Sequence, residues 1–234
     1  METKRLRVDQ LLARFGYCSR REAFRWIRDG RVCLDGEPLQ DDGQRVDPAA
    51  VTVDGSPVDF PHGLLVALHK PCGVVCSHDS TEGDTIYDLL PGQWKERHPV
   101  PSSIGRLDKE TSGLLLITDD GALSHRLTSP RRHVEKEYEV AVAEDLPEGI
   151  AEAFARGDLV LRGETSPCLP AQCVVLEPRR ARIVMREGKY HQVRRMFASQ
   201  GCLVTRLHRT RIGLLELGPL AEGQWRAVQP KDVL

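Results

Sequence analysis

The first apolar residues of the chain recur with the period of a helix. Four of them occupy positions i, i+3, i+4 and i+7 and share one helix face: Val8, Leu11, Leu12 and Phe15. Gly16 follows at once, and glycine is the residue that most often ends a helix. The pattern therefore predicts an amphipathic helix that ends near residue 15 and packs this face into a core.

A second helix is predicted after it. Ser19 and Glu22 have the spacing of a capping box, in which the two side chains close the first turn of a helix. Gly30 marks the end of this helix, and its apolar face is assigned to Ala23, Phe24 and Ile27. Four arginines fall mostly off this face and are expected to face solvent: Arg20, Arg21, Arg25 and Arg28.

Two short β-hairpins complete this region. Residues 32–34 and 51–53 read as strands, and each is followed by Asp-Gly, a strong signal for a hairpin turn. The segment 59–63 reads DFPHG and is typical of a linker. We therefore assign residues 1–59 to a small domain of helices and hairpins.

Beyond the linker the chain is rich in strand patterns. Short apolar or alternating runs predict strands at residues 64–68, 114–117, 138–142, 159–161, 173–176 and 182–185. Two further stretches predict helices at 148–155 and 192–200. We assign residues 60–234 to one α+β domain built on a mainly antiparallel, mixed sheet.

The net charge of −1 conceals an uneven distribution of charge. Residues 1–31 carry a net charge of +5 and residues 179–211 carry +9, whereas the rest of the chain carries −15. Two basic segments on an acidic body are typical of a protein that binds a polyanion, and we expect nucleic acid. The alternative is that the basic residues form two solvated helix faces.

Hydropathy and cysteine usage indicate a protein of the reducing cytoplasm. No apolar run approaches the ~18 residues that a membrane span needs, and no signal-peptide pattern is present. The seven cysteines are not arranged as a disulfide framework. Proline and glycine interrupt a cluster of four potential metal ligands within ten residues: His69, Cys72, Cys76 and His78. A strand and a turn explain this segment more simply than a zinc site, so we expect no metal.

The segment 105–121, GRLDKETSGLLLITDDG, holds the strongest candidate for chemistry. Asp108 precedes four consecutive branched apolar residues, 114–117, which suit a buried strand between Gly113 and a turn at 119–121. Asp108 therefore lies on a loop that a core strand anchors, and active-site residues are often found on such loops.

Three further segments accompany this one: HKPCGVVCS at 69–77, EKEYEV at 135–140 and EGKYHQVRRMF at 187–197. The four segments together resemble the RsuA-like pseudouridine synthases. Within that family, SPRRHVEKEY at 129–138 and the region from 187 to HRTRIG at 208–213 look like the members that act on small-subunit ribosomal RNA.

The N-terminal region carries a second resemblance. Residues 5–39, RLRVDQLLARFGYCSRREAFRWIRDGRVCLDGEPL, are similar to the S4 RNA-binding domain. In that family two helices and a hairpin present a basic surface to structured RNA. The resemblance implies that the four exposed arginines of the second helix contact phosphates.

The larger resemblance implies the isomerisation of uridine to pseudouridine, in which the N1–C1′ bond breaks, the base turns and C5 bonds to C1′. It assigns the essential carboxylate to Asp108, which suits a nucleophile, a stabiliser of positive charge at the sugar, or a base for the C5 proton. No cofactor is implied. The target base must leave its stack, so Arg106 is expected to enter the vacated space and Tyr138 to stack on the uracil.

A basic residue of the segment 187–197 is implied as the ion-pair partner that keeps Asp108 ionised. Spacing favours Arg194 and helix phase is compatible with Arg195, so both remain candidates. Five further residues are expected to contact phosphates: Lys70, Lys189, His191, Arg209 and Arg211.

We therefore expect a cytoplasmic, monomeric pseudouridine synthase that acts on small-subunit (16S) ribosomal RNA, either naked or in an assembling particle. Three alternatives stay open. One is a large-subunit (23S) enzyme of the same family, and another is a non-catalytic RNA-binding or assembly protein that has kept the fold. The third is a uridine-directed glycosidase, which would release free base.

Overall fold

A computed structural model describes residues 5–129 and 132–234. Lys4, counted in the basic N-terminal segment, and Pro130 and Arg131 of the segment 129–138 lie outside the described residues. The chain divides into two compact units. The first contains the chain up to Leu65 with Leu90–Ser102 and Ile117–Gly121, and the second contains the remainder.

The first unit is built from short elements. In chain order they are β1 (Leu6–Arg7), α1 (Val8–Arg14), α2 (Ala23–Arg28), β2 (Val32–Leu34), β3 (Glu37–Pro38), β4 (Arg45–Val46), β5 (Val51–Val53) and β6 (Ser56–Pro57). Strands β3, β2, β5 and β6 form one antiparallel sheet in that order, and β1 pairs with β4. Asp35 and Asp54 both have positive φ angles, followed by Gly36 and Gly55. These are the conformations of tight hairpin turns, so both predicted hairpins are confirmed.

The core of this unit confirms the first predicted helix and corrects the second. The four apolar residues of α1 and its end are buried, as are Ala23 and Ile27 on α2. Phe24, however, is 60% exposed, because it lies about 100° around the helix from Ala23. The predicted capping box is only half formed: the Glu22 carboxylate accepts the backbone N–H of Ser19, but the Ser19 hydroxyl also donates to this carboxylate and α2 begins only at Ala23.

A buried arginine joins several segments of the first unit. The guanidinium of Arg97 is 2.8 Å from the carboxylate of Asp119 and donates to the carbonyl of Asp59. It also lies 4.7 Å from the centre of the Phe15 ring. This unit therefore contains residues from both sides of the boundary that we place at residue 59.

The second unit carries most of one large sheet. Its elements, in chain order, are β7 (Leu65–Lys70), β8 (Ser102–Ile104), β9 (Thr111–Thr118), α3 (Gly121–Thr128), β10 (Lys136–Val142), α4 (Ile150–Ala155), β11 (Gln172–Glu177), β12 (Arg180–Met185), α5 (Gln192–Ser199), β13 (Val204–Ile212), β14 (Leu215–Glu216) and β15 (Trp225–Ala227). The strand order is β11-β12-β10-β13-β9-β7-β15, with β14 beside β13 and β8 beside β9.

The pairing within this sheet confirms the predicted fold class. Strand β13 runs parallel to β9 and antiparallel to β10, and the pairs β10–β12, β11–β12 and β15–β7 are antiparallel. The sheet is therefore mixed and mainly antiparallel. Helices α4 and α5 contribute to its core, where the rings of Phe154 and Phe197 are 5.2 Å apart.

Two predictions for this region need correction. Residues 159–161 form no strand. Leu161 is buried in the core while Val160 is 56% exposed. The alternation of apolar residues here therefore reflects the packing of side chains and not the pairing of a strand. Helix α4 begins at Ile150 rather than at residue 148, because Gly149 adopts a left-handed conformation just before it.

All seven cysteines are unpaired thiols, as expected. Among the described residues, no helix combines the length and the apolar character that crossing a membrane would require.

Candidate active site

Asp108 lies on the loop between β8 and β9, and a buried lysine holds that loop in place. Lys70, the last residue of β7, is fully buried. Its Nζ atom donates hydrogen bonds to the carbonyls of Pro71 (2.9 Å), Lys109 (3.2 Å) and Thr111 (2.9 Å). Burial lowers the pKa of this amine. The prediction that Lys70 contacts phosphates is therefore wrong, because its charge is directed into the protein.

A buried thiol also supports the loop. The Sγ atom of Cys76 accepts the backbone N–H of Leu107, just before Asp108. Burial raises the pKa of Cys76, which favours the neutral thiol. From its sequence neighbours, this cysteine was recognisable only as a potential metal ligand. Within the described ranges, no three His, Cys, Asp or Glu side chains are grouped so as to hold a metal ion.

The carboxylate of Asp108 has a different basic side chain beside each oxygen. The Nε2 atom of His191 is 3.4 Å from Oδ1, and the Nε atom of Arg194 is 4.0 Å from Oδ2. The two Nη atoms of Arg194 donate to the carbonyls of Val204 and Glu110, which fixes the guanidinium. The structure thus places Arg194, and also His191, beside Asp108.

Arg195 points elsewhere, because consecutive residues of a helix project about 100° apart. Its guanidinium forms an ion pair with Glu164 at 2.8 Å and donates to the carbonyls of Tyr190 and Arg162. The prediction that Arg195 is the partner of Asp108 is therefore wrong. Arg195 instead fixes the backbone of the loop that carries His191.

Tyr138 and a buried arginine stand on neighbouring strands behind the aspartate. Tyr138 on β10 is paired in register with Arg209 on β13. Arg209 is only 2% exposed, donates through Nε to the carbonyl of Leu114 and lies 3.4 Å through Nη1 from the Tyr138 hydroxyl. A residue buried in this way does not reach an RNA phosphate. The prediction that Arg209 contacts phosphates is therefore also wrong.

A glycine on β9 makes room for this arginine. Gly113 has a φ of 110°, and a Cβ atom at this position would lie 2.2 Å from the carbonyl oxygen of Arg209. Only glycine therefore fits between β9 and β13 here. In the sequence, Gly113 indicated only the boundary of a strand.

A cavity opens beside Asp108. Its lining includes Arg106, Asp108, Tyr138, Met185, His191 and Leu207. Arg106 is exposed and also lines a neighbouring cavity, together with Lys109 and Tyr190. Asp108 and Tyr138 thus face one space, with Arg106 at its edge.

The other predicted RNA contacts have partners within the protein. Lys189 donates through Nζ to the carbonyls of Ser166 and Pro167. Arg211 lies 3.4 Å from Glu135 and 3.6 Å from Glu137 and donates to the carbonyl of Gly213. Carboxylates therefore balance the charge of Arg211, whereas the ammonium group of Lys189 is hydrogen-bonded to neutral carbonyls.

On α2 and the turn before it, the four arginines at 20, 21, 25 and 28 are exposed, as expected. Arg20 pairs with Asp9 at 2.7 Å, and Arg28 lies 3.5 Å from Asp29. The first unit thus presents basic side chains to solvent on this element.

Comparison with known proteins identifies the family of this chain. The family model for RNA pseudouridylate synthase matches residues 64–199, and that for the S4 domain matches residues 6–52. The chain belongs to the RNA pseudouridylate synthase family. As a pseudouridine synthase, it is an isomerase that acts on RNA.

Relatives of this pseudouridine synthase match it over nearly its whole length. It is 40% identical over 233 residues to the ribosomal small subunit pseudouridine synthase A of Escherichia coli K12, covering 97% of this chain and 98% of that protein. It is 36% identical to an uncharacterized RNA pseudouridine synthase of Bacillus subtilis, covering 97% of each. A crystal structure of a pseudouridylate synthase matches it with a TM-score of 0.67 at 35% identity, over 97% of this chain and 98% of that one.

Proposed function

We propose that this enzyme isomerises a specific uridine of small-subunit (16S) ribosomal RNA to pseudouridine, with Asp108 as the essential carboxylate. The observation that carries the proposal is the position of Asp108, on an anchored loop, facing a cavity that it shares with Tyr138. The choice of small-subunit RNA is supported by the similarity to the Escherichia coli ribosomal small subunit pseudouridine synthase A.

The carboxylate has the surroundings that this reaction needs. His191 and Arg194 lie near separate oxygens of Asp108, so a basic side chain stands beside each oxygen of the carboxylate. The carboxylate of Asp108 acts as a nucleophile or as a countercharge while the N1–C1′ bond breaks. After the base turns and C5 bonds to C1′, the proton on C5 leaves to solvent and N1 gains one.

The cavity implies that the uridine is extruded from its stack, because a base within a helix is out of reach of the carboxylate. Tyr138 lines this cavity, and its ring would stack on the uracil. Arg106 is exposed at the cavity edge, where its side chain would occupy the space that the base leaves.

The RNA outside the target nucleotide would be held mainly through its phosphates. We assign this role to the exposed arginines of the S4-like domain, residues 1–59, and the chemistry to residues 60–234. We further propose that the enzyme works as a monomer in the cytoplasm and uses neither metal nor cofactor.

Tritium release from RNA labelled at C5 of uridine tests this proposal. Wild-type enzyme is incubated with small-subunit transcript, large-subunit transcript and protein-bound small-subunit particles, none of them previously modified. Stoichiometric release from a small-subunit substrate alone supports the proposal, and the transcript and the particle distinguish naked from assembling RNA. Release from large-subunit RNA alone would overturn the substrate. Tight binding without any release would overturn the reaction, and free uracil among the products would indicate a glycosidase.

A further inference from the structure

The side chain of His191 is 40% exposed, yet its imidazole lies beside the carboxylate of Asp108. Its Nε2 atom lies 3.4 Å from Oδ1 of Asp108, whereas the nearest Arg194 atom to the carboxylate is 4.0 Å from Oδ2. The imidazole is therefore the closer of the two basic groups. Because the two contacts are made to different oxygens, together they restrict rotation of the carboxylate about the Cβ–Cγ bond.

The backbone of His191 is held in an uncommon conformation. Its φ and ψ angles, 46° and 36°, are left-handed, although the residue directly precedes α5. This conformation costs free energy for any residue with a Cβ atom, and such costs are concentrated at functional sites. The side chain makes no capping hydrogen bond to α5, so helix capping does not explain its presence.

Hydrogen bonds on both sides keep the loop in this conformation. The Oε1 atom of Gln192 accepts the backbone N–H of Lys189 at 2.7 Å. Arg195 donates to the carbonyl of Tyr190 at 2.9 Å, and Lys189 donates through Nζ to the carbonyl of Ser166 at 2.7 Å. These contacts fix the residues on each side of His191.

An aromatic neighbour fixes the imidazole itself. The ring of Tyr190 stacks on that of His191, with centroids 3.9 Å apart and planes 15° apart. Tyr190 is 76% exposed, so burial of its own surface does not account for its position. The stack limits the χ2 rotation of His191 and directs Nε2 toward Asp108.

We propose that His191 is a positioning residue that orients the carboxylate of Asp108 for the isomerisation, and that the left-handed backbone and the Tyr190 stack are the means that aim it. This inference rests on the proposed function, since it assigns Asp108 the chemical role. In the proposed role, a proton on Nε2 of His191, 3.4 Å from Oδ1, is directed to that oxygen while Arg194 faces Oδ2, so the carboxylate meets the uridine in one orientation. A displacement of about 1 Å in a reacting group can cost ~100-fold in rate.

Three substitutions at His191 test the proposal by steady-state tritium release. His191→Gly removes the side chain and suits the positive φ angle. We expect kcat to fall roughly 10- to 100-fold with KM changed less than about threefold, while the thermal midpoint stays at or above that of wild type. His191→Gln places an amide donor near the position of Nε2 and is expected to restore kcat to within a few-fold. His191→Ala keeps the backbone strain without the donor and should lose both stability and kcat.

The control is His125→Ala, the same truncation at an exposed position of α3 that lines neither cavity; it should behave as wild type. A His191→Gly enzyme with normal kcat would overturn the inference. So would one whose only change is a raised KM, which is the effect of a lost phosphate contact. If glutamine and glycine lower kcat equally, the donor role is wrong.

Crystal structures of the wild-type enzyme and the His191→Gly and His191→Gln variants test the same point without turnover. We expect one Asp108 rotamer in wild type and His191→Gln, and a rotated or multiple one in His191→Gly. An unchanged single rotamer in all three would overturn the positioning role. Failure of the proposed function looks different: wild type would then release no tritium from any RNA, while the rotamer comparison still decides the role of His191.

Discussion

Lys70→Met removes the ammonium group that holds the Asp108 loop and leaves an unbranched apolar side chain in its place. Two of the three carbonyls that accept hydrogen bonds from Lys70 belong to Lys109 and Thr111, which follow closely after Asp108 along the chain. We expect the substitution to release this loop and to lower kcat by about 10- to 100-fold, because catalysis is sensitive to displacements near 1 Å.

Two opposing contributions determine the effect of this substitution on stability. Each hydrogen bond from a charged donor contributes about 1.5–3 kcal/mol, whereas removing an ammonium group from water costs several kcal/mol. The lowered pKa of Lys70 indicates that the free-energy cost of removing the ammonium group from water exceeds the stabilisation of its charged form by neighbouring groups. We therefore expect Lys70→Met to change the free energy of unfolding at neutral pH by less than about 2 kcal/mol. Lys70→Ala, the control that also leaves a cavity, should cost about 2–5 kcal/mol.

The same pKa determines the sign of the pH dependence. Between the pKa of Lys70 in the folded protein and its ordinary value of 10.5, the unfolded chain binds more protons than the folded chain. The free energy of unfolding of wild type should therefore rise with pH relative to that of Lys70→Met across this window. Urea unfolding from neutral to alkaline pH measures the difference, and tritium release measures kcat. A decrease of more than about 4 kcal/mol in the free energy of unfolding of Lys70→Met, or an unchanged kcat, would contradict the role that we assign to Lys70.

Three further predictions concern the strands, the cavity and the basic surface. Gly113→Ala should destabilise the protein by about 3 kcal/mol or more, because its Cβ atom would collide with the Arg209 backbone at a positive φ angle; thermal or urea unfolding measures this, and a wild-type midpoint would contradict it. Tyr138→Phe should retain most activity, whereas Tyr138→Ala should weaken productive binding by about 1–3 kcal/mol through lost stacking; equal losses in kcat/KM would assign the role to the hydroxyl instead. Arg25→Ala should reduce the slope of log affinity against log salt by about 0.7–0.9 if one phosphate contact is lost, and an unchanged slope in filter binding would remove Arg25 from the RNA surface.

Local patterns predicted the framework of the molecule because they depend on neighbouring residues. The spacing of apolar residues on α1 and the Asp-Gly turns determine short-range structure directly, and both predictions are confirmed. The buried strand after Asp108 was recognisable for the same reason: four branched apolar residues in a row rarely stand in solvent. Phe24 was misplaced because a six-residue helix has too few positions to define its buried face from spacing alone.

Basic side chains were the least predictable part of the site. The sequence around a lysine or arginine does not show whether the side chain binds a phosphate or a buried carbonyl group. Lys70 and Arg209 both donate to buried carbonyl groups. Arg194 and Arg195 could not be separated until the start of α5 was known, because a shift of one residue turns the side chain by about 100°. The contact between His191 and Asp108 joins residues 83 positions apart, and it depends on a backbone conformation that no sequence pattern indicated.

The most direct test of the account is the comparison of Asp108→Asn with wild type and with Glu110→Gln, an exposed carboxylate two residues further along. Each protein is incubated in excess with C5-tritiated small-subunit RNA, and RNA affinity is measured alongside. We expect full tritium release by wild type and Glu110→Gln, and none by Asp108→Asn. Asp108→Asn should still bind the RNA within a few-fold of wild type, because affinity comes mainly from phosphates. Turnover by Asp108→Asn at the wild-type rate would contradict the account.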